Sequence, residues 1–369
     1  CPYCGVGCGI KADITADNRI MRVDDEPIND SSQGMLCVKG RFGFEFVNHP
    51  DRLTTPLIKR NGRFEEATWD EALDLVADKL VEHRGQFGAL ASAKATNEDG
   101  YIIQKFVRSV MDSNNVDHCT RLCHSPSVHA MLKSLGSGAT SNSYLDYENA
   151  GCLMVVGSDS SSNHPVVTVR FRRAVKRGAK LIVVNPKWIE LNYYADIWLQ
   201  QLPGTDVALF NGLAYVILDE GLADMDFING RTEGFDDWAA AVREYSPRVT
   251  SRITSVPEEL IVQAARTFAR PPFSGSCMIW GMGISQHSNG TANAHAVINL
   301  ALAAGMAGKP GNGISPLRGQ NNVQGAGDAG CVPDNLPGYQ ALTDANRTKF
   351  AQAWGQMTSR PAGLTVTGM

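Results

Sequence analysis

The chain begins Cys1-Pro2-Tyr3-Cys4-Gly5-Val6-Gly7-Cys8 and supplies a further thiol at Cys37, a C-x2-C-x3-C pattern closed by a distant cysteine. Thiolates gathered by a tight turn, with one more returned by the fold, suit a cubane iron-sulfur cluster. Gly5, Gly7 and Gly9 let the turn curl and bring backbone amides near the sulfurs, where their dipoles stabilise negative charge. Zinc is the main alternative, although zinc ribbons pair two Cys-x2-Cys knuckles and here a lone Cys37 follows a triplet. A disulfide framework fits less well, because nine cysteines in 369 residues are odd in number and sparse.

Three further segments could do chemistry. In Cys119-Thr120-Arg121-Leu122-Cys123-His124-Ser125 a thiol sits beside an imidazole. The pair reads as a nucleophile with its base, as a soft metal ligand beside a free proton acceptor, or as a core thiol next to a surface histidine. Arg318-Gly319-Gln320-Asn321-Asn322-Val323-Gln324 surrounds one guanidinium with amides. The amides suit a polar heterocycle and the guanidinium a small carboxylate. Finally, the loops at Gly157 to Pro165, Asn185 to Lys187 and Gly281 to Gln286 each follow an apolar strand-like run. Ligands bind at such carboxyl edges of α/β sheets, but G-x-G-x-x-G is absent, so the ordinary dinucleotide fingerprint is not supported. Cys119, Cys152, Cys277 and Cys331 read as ordinary core or loop thiols.

The elements that must position these groups follow from pattern. Strand-like pieces at Ile10 to Ile14 and Ile20 to Val23, among Gly, Asp and Asn, predict a small β-rich domain ending near Pro56. Thr68 and Glu71 form a capping box that opens a helix carrying Leu73, Val76, Ala77 and Leu80. A second helix carries Tyr101, Ile102, Phe106 and Val107. From Cys152 to Val207 the pattern is βαβ: strands at Cys152 to Val156, Leu181 to Val184 and Ile197 to Leu199, with a helix from Val166 to Arg177 between the first two. Helices follow from Asp206 to Leu218, from Pro257 to Arg270 and from Ala292 to Ala304, with a strand at Cys277 to Trp280. Gly305 to Gly338 reads as a long ordered loop, which is usually functional. No repeat or low-complexity linker divides the chain.

Composition bounds the rest. With 43% hydrophobic and 20% charged residues, the chain can bury a sizeable core and suggests two or three domains. A net charge of -4 and a pI near 6.1 give no basic footprint for nucleic acid. No apolar run is long enough to span a bilayer. The chain starts inside a functional motif rather than at a methionine, so a preceding segment is expected, its nature (an export signal or further electron-transfer domains) being open.

With these residues assembled, the chain resembles the molybdopterin oxidoreductases of the DMSO reductase superfamily, and within it the catalytic alpha subunit of molybdenum- or tungsten-dependent formate dehydrogenase. The resemblance covers nearly the whole chain. It is carried by Cys1 to Cys8 with Cys37-Val38-Lys39-Gly40, by RLCHSPSV at Arg121 to Val128, by GMGISQ at Gly281 to Gln286, and by RGQNNVQGA at Arg318 to Ala326. It implies that Cys1, Cys4, Cys8 and Cys37 hold a 4Fe-4S cluster, that Lys39 lies between cluster and pterin, and that Cys123 ligates the metal. It also implies His124 as proton acceptor and Arg318 as the residue that orients formate. Two molybdopterin guanine dinucleotides would be held by Gly157, Asp159, His164, Asn185, Gly204, Asp206, Gly283, Gln286, Gly319 and Asn322.

The implied architecture is α/β: a 4Fe-4S domain at 1–56, a discontinuous molybdopterin domain at 57–135 plus 271–369, and an inserted Rossmann-like dinucleotide domain at 136–270, with largely parallel sheets. The C-terminal β-barrel typical of the family is missing from this chain. The implied reaction converts formate to carbon dioxide, or the reverse, passing electrons to partner subunits such as flavin- and NAD-linked ones in the cytoplasm. Nitrate reduction on the same scaffold is the rival activity, although nitrate reductases typically lack the histidine after the ligand cysteine. A non-catalytic electron-transfer homologue is the rival of another class, and the joint presence of Cys123, His124 and Arg318 argues against it.

Overall fold

The computed structural model describes residues 1–369. Its centre is a five-stranded sheet of buried aliphatic runs, in spatial order Gly313–Pro316, Ser276–Trp280, Cys152–Val156, Lys180–Val184 and Ile197–Leu199. Every neighbouring pair is parallel. The chain enters the sheet in the middle, winds outward through 180–184 and 197–199, then crosses back to build 276–280 and 313–316 on the other side. Such a reversal opens a crevice at the carboxyl ends of the two strands that part there. Val156 pairs with Trp280, so the loops beginning at Gly157 and Gly281 leave the sheet side by side.

Alternation along the strands divides the core between two faces. Cys152, Met154, Val156, Ile182, Val184, Met278 and Trp280 pack with the helices Ser125–Leu135, Asp206–Asp219, Glu258–Ala269 and Gly290–Ala303. Leu153, Val155, Leu181, Val183, Cys277 and Ile279 face the helices Tyr144–Asn149 and Pro165–Lys176. Val6, Cys8 and Leu317 join this second cluster, so the N-terminal cysteine turn is packed directly onto the sheet layer. No helix is long and apolar enough to cross a membrane.

The α/β class with a parallel sheet agrees with expectation, and the strands at 152–156 and 197–199 fall where the sequence predicts them. The Thr68–Glu71 capping box is formed and opens the helix Trp69–Glu82. Three expectations are corrected. First, the boundary between residues 270 and 271 cuts through one sheet, because 276–280 hydrogen-bonds to 152–156 along its whole length. The helix Asn97–Ser109, which packs on the two-stranded sheet 89–91/116–118, is met by the later helices Val323–Asp328 and Asp344–Trp354. Arg108, fully buried, ties them by donating to the carbonyls of Gly330, Val332 and Asn335. Second, 305–338 is no continuous loop, since it contains the strand Gly313–Pro316 and the helix Val323–Asp328. Third, the N-terminal domain holds one hairpin, 10–14 with 20–25, and two short helices at Val38–Phe42 and Glu45–Asn48 rather than being mainly β.

The N-terminal segment is anchored electrostatically as well. Arg170, with 1% of its side chain exposed, meets Glu148 at 2.7 Å and also donates to the Ser31 carbonyl at 3.2 Å and to Gln33 Oε1 at 3.3 Å. Arg173 and Arg177 approach the same buried carboxylate at 3.0 and 3.7 Å. Removing the charge strands a buried guanidinium, and breaking such a pair costs about 3–5 kcal/mol. Glu148→Gln is expected to destabilise the protein by that amount in anaerobic denaturant unfolding. A change below about 1 kcal/mol would show the cluster to be no better than a surface pair.

Candidate functional site

At the carboxyl edge of the sheet lies a cavity of about 440 Å³, of a size typical for small-molecule sites. One wall is Tyr3, Cys4, Cys37 and Lys39; the opposite wall carries Gly157, Asp159 and His164; Gly283, Gly319 and Gln320 complete it. The strand-end loops meet so closely that no side chain fits between them. Gly157 has φ +53°, and a Cβ there would lie 2.9 Å from the Gly283 Cα.

Behind the first wall, Cys1, Cys4, Cys8 and Cys37 line a smaller enclosed hollow. Burial raises the thiols of Cys4 and Cys8, the latter to about 11, with the neighbouring sulfurs adding to the effect. All four cysteines line this one hollow, and a Cys-x2-Cys-x3-Cys triplet closed by Cys37 is not a pair of zinc knuckles. That arrangement fits a cluster better than zinc.

Across the cavity, Cys123 follows the 3-10 turn Cys119–Leu122 and is 3% exposed. The Gly319 backbone lies against it: a Cβ on Gly319 would meet Cys123 Sγ at 3.9 Å. Burial pushes the Cys123 thiol up to about 11, against the opposing pull of the Gly319 amide and the Arg318 charge. Arg318 extends from the end of the 313–316 strand, and its Nη2 donates to the Gly138 carbonyl and to Gln324 Oε1. Its Nη1 is buried with no partner, and burial lowers its pKa. Unlike Arg108, whose donors are taken up by backbone carbonyls, Arg318 keeps a donor that an anion would satisfy.

His124 is not on the surface; its exposure is 0%. Its Nε2 lies 2.8 Å from the Leu317 carbonyl, which only accepts, so the proton sits on Nε2. Nδ1 is left to accept from Ser127 Oγ at 3.2 Å, and Ser127 in turn accepts from Trp280 Nε1 at 2.9 Å. Burial, followed by the nearby Arg318 charge, lowers the His124 pKa to about 3. The free proton acceptor expected there is therefore corrected: its lone pair is engaged.

The cavity brings together Lys39, Gly157, Asp159, His164, Gly283 and Gly319 of the expected set, and Cys123 and Arg318 adjoin it through Gly319. Four others are used elsewhere. Asn185 turns its side-chain oxygen to the Lys187 amide; Asp206 accepts from Gln201 at 3.1 Å; Gln286 donates to the Leu122 carbonyl at 2.7 Å; Asn322 donates to the Ala95 carbonyl at 2.9 Å. Gly204, at φ +86°, stands in open space. Residues that sequence reasoning missed are Lys94, which reaches the Pro2 carbonyl at 3.2 Å, together with Ser158, Asn163 and Gln320. Gln320 lies inside the amide-rich run and Ser158 and Asn163 inside the loop 157–165, whereas Lys94 carried no signal.

The cysteine turn and the Arg318 segment touch. The Gly5 amide donates to the Gly319 carbonyl at 3.1 Å, and a Cβ on Gly5 would sit 2.4 Å from the Arg318 carbonyl oxygen and 2.8 Å from its Cβ. Gly5→Ala is expected to shift both walls, lowering iron content per chain by at least about half and weakening substrate binding together. Normal iron content with unchanged kinetics would show that the contact relaxes without cost.

The polar inventory matches a heterocycle that donates. Asp159 Oδ1, His164 Nδ1 and Gln320 Oε1 are buried without partners, and all three residues line the cavity. Such atoms await N–H or O–H groups of the kind a pterin or guanine presents. A thiol-lined hollow beside an acceptor-lined crevice of a doubly wound sheet defines a cofactor-dependent redox protein. The family model described as molybdopterin oxidoreductase matches residues 52–357, and that of the molybdopterin oxidoreductase Fe4S4 domain matches residues 1–49. The chain belongs to the molybdopterin oxidoreductase family, and its cofactors are a molybdopterin metal centre and a 4Fe-4S cluster.

Among its relatives, the F420-dependent formate dehydrogenase 1 subunit alpha of Methanococcus maripaludis is 41% identical over 100% of this chain and 54% of its own length. Formate dehydrogenase H of Escherichia coli is 40% identical over 98% of this chain and 52% of its own. The acetylene hydratase of Pelobacter acetylenicus superimposes with a TM-score of 0.74 at 26% identity, over 85% of this chain and 44% of that one. The chain thus spans about half the length of the curated relatives it matches.

Proposed function

We propose that this chain is the cofactor-bearing part of a formate dehydrogenase catalytic subunit, converting formate to carbon dioxide with release of two electrons and one proton. The observation that carries the reading is the buried Arg318 guanidinium, its Nη1 unpartnered, next in the chain to Gly319, whose backbone lies against the Cys123 thiol. Its relatives named formate dehydrogenase support it.

Cys1, Cys4, Cys8 and Cys37 would hold the cluster, and Cys123 the molybdenum or tungsten of a bis(molybdopterin guanine dinucleotide) centre. Gly157, Asp159, His164, Gly283 and Gly319 would line the pterin and nucleotide. When bound, the metal centre supplies two-electron chemistry and the cluster one-electron transfer. Arg318 binds and orients the carboxylate. Lys39 lines the cavity together with Cys4 and Cys37, and its charge would favour electron passage there. Of the two candidate acceptors for the formate proton, His124 has its Nδ1 lone pair engaged by Ser127 and its Nε2 proton held by the Leu317 carbonyl, which leaves Cys123 Sγ. We therefore give the proton to Cys123 when it is not ligating, and give His124 the task of fixing the Leu317 carbonyl beside Arg318. Electrons leave to partner subunits in the cytoplasm.

The test is metal analysis of the purified full-length enzyme combined with formate and nitrate assays. Molybdenum or tungsten with formate-dependent dye reduction is expected. Nitrate-dependent turnover without formate activity would install the nitrate reductase reading, and iron alone would favour a non-catalytic homologue.

A further inference from the structure

Three consecutive carbonyls before the amide-rich run are each held from a different part of the chain. His124 Nε2 holds that of Leu317 at 2.8 Å, His164 Nε2 that of Arg318 at 2.7 Å, and the Gly5 amide that of Gly319 at 3.1 Å. His164 differs from the other two because it is a side chain that lines the cofactor cavity and its second nitrogen has no partner. It is 4% exposed, and the unpartnered atom is Nδ1. Bonding to a carbonyl, which only accepts, places the proton on Nε2 and leaves Nδ1 a pure acceptor.

The ring has little freedom to choose another arrangement. His164 stands between the short helix Ser160–Asn163 and the helix Pro165–Lys176, with Pro165 restricting the backbone before it. Its amide is held by the Ser160 carbonyl at 2.8 Å and its own carbonyl by the Thr168 amide at 3.1 Å. A buried acceptor left empty costs about 1–3 kcal/mol, a cost relieved when a donor enters the cavity.

We propose that His164 is a positioning residue that couples the cofactor cavity to Arg318: its Nε2–H fixes the Arg318 carbonyl while its Nδ1 lone pair accepts from an N–H or O–H of the bound pterin cofactor. Filling the cavity then orders the backbone that aims the guanidinium. The kinetic consequence rests on the reading of Arg318 as the formate-binding group; the cofactor contact does not.

The two bonds can be separated by substitution in the full-length holoenzyme. In His164→Gln the amide Nε2 reaches the place of the ring Nε2 as a donor, whereas in His164→Asn the amide oxygen stands near the ring Nδ1 as an acceptor. His164→Ala is expected to lower molybdopterin content per chain and to raise the formate KM about tenfold, with a smaller change in kcat per bound cofactor. His164→Gln recovers most of the KM but not the content, and His164→Asn recovers content but not KM. If content and KM move in parallel in all three variants, or neither moves, the coupling is wrong. Nitrogen NMR of labelled histidine in the wild-type chain gives an independent readout: the Nε2-protonated tautomer is expected, and an Nδ1-protonated ring overturns the proposal. Should the wild-type holoenzyme fail to oxidise formate, the formate reading falls, while cofactor content and tautomer still decide the role of His164.

Discussion

Arg318→Ala is expected to raise the formate KM by about two orders of magnitude or more, with a smaller loss in kcat. The guanidinium is nearly enclosed, its Nη1 has no partner, and its Nη2 is steadied by the Gly138 carbonyl and Gln324. Hydrogen bonds to charged groups are worth about 1.5–3 kcal/mol each, and two parallel ones to a carboxylate convert to roughly a hundredfold or more in affinity. Arg318→Lys recovers only part of this, because an ammonium cannot make the paired bonds. Steady-state kinetics with formate measure the effect directly. A KM within about threefold of wild type in the alanine variant would remove Arg318 from the substrate site.

The second large effect is at Cys123. Replacement by alanine is expected to lower formate turnover by more than about 100-fold, beyond what loss of an outer-shell partner costs a metal site. On the proposed reading two functions go at once: a soft thiolate for the metal, and the sulfur that takes the formate proton. Serine supplies a harder oxygen that stays protonated at neutral pH, so Cys123→Ser is expected to retain iron but little turnover. Stopped formate oxidation with normal iron content is the signature. Turnover within about tenfold of wild type would show that Cys123 is only a core thiol.

How much of this is legible in the sequence depends on whether a feature is local. The strands Cys152–Val156 and Ile197–Leu199 are short apolar runs with turn residues beyond them, and the capping box at Thr68 is a contact three residues long. The strand Gly313–Pro316 hides among glycines and ends in proline; it exists because Ser276–Trp280 offers it a partner. What defeats the domain boundary drawn at 271 is the pairing of Ser276–Trp280 with Cys152–Val156, a contact between strands far apart in the chain that no local pattern announces.

The same distinction governs the site. The cysteine quartet, Cys123 and Arg318 announce themselves by residue type and motif. The bonds that place them do not, because His164 reaches the Arg318 carbonyl across 154 residues and His124 reaches that of Leu317 across 193. A histidine beside a ligand cysteine invites the role of base, and only its burial and the Ser127 contact reveal that its lone pair is taken. Conversely, Asp206, Gln286 and Asn322 are polar residues near strand ends whose groups are spent on neighbouring backbone and side chains.

The central claim is that electrons taken from formate at the Cys123 and Arg318 site leave through the cluster held by Cys1, Cys4, Cys8 and Cys37. The most direct measurement is electron paramagnetic resonance of the anaerobic, full-length enzyme, loaded with metal, pterin and iron, before and after formate. The account predicts that formate alone brings up the signal of the one-electron-reduced cluster, and that Arg318→Ala shifts this response to far higher formate concentration. A cluster that dithionite reduces but formate leaves silent at every concentration would contradict it.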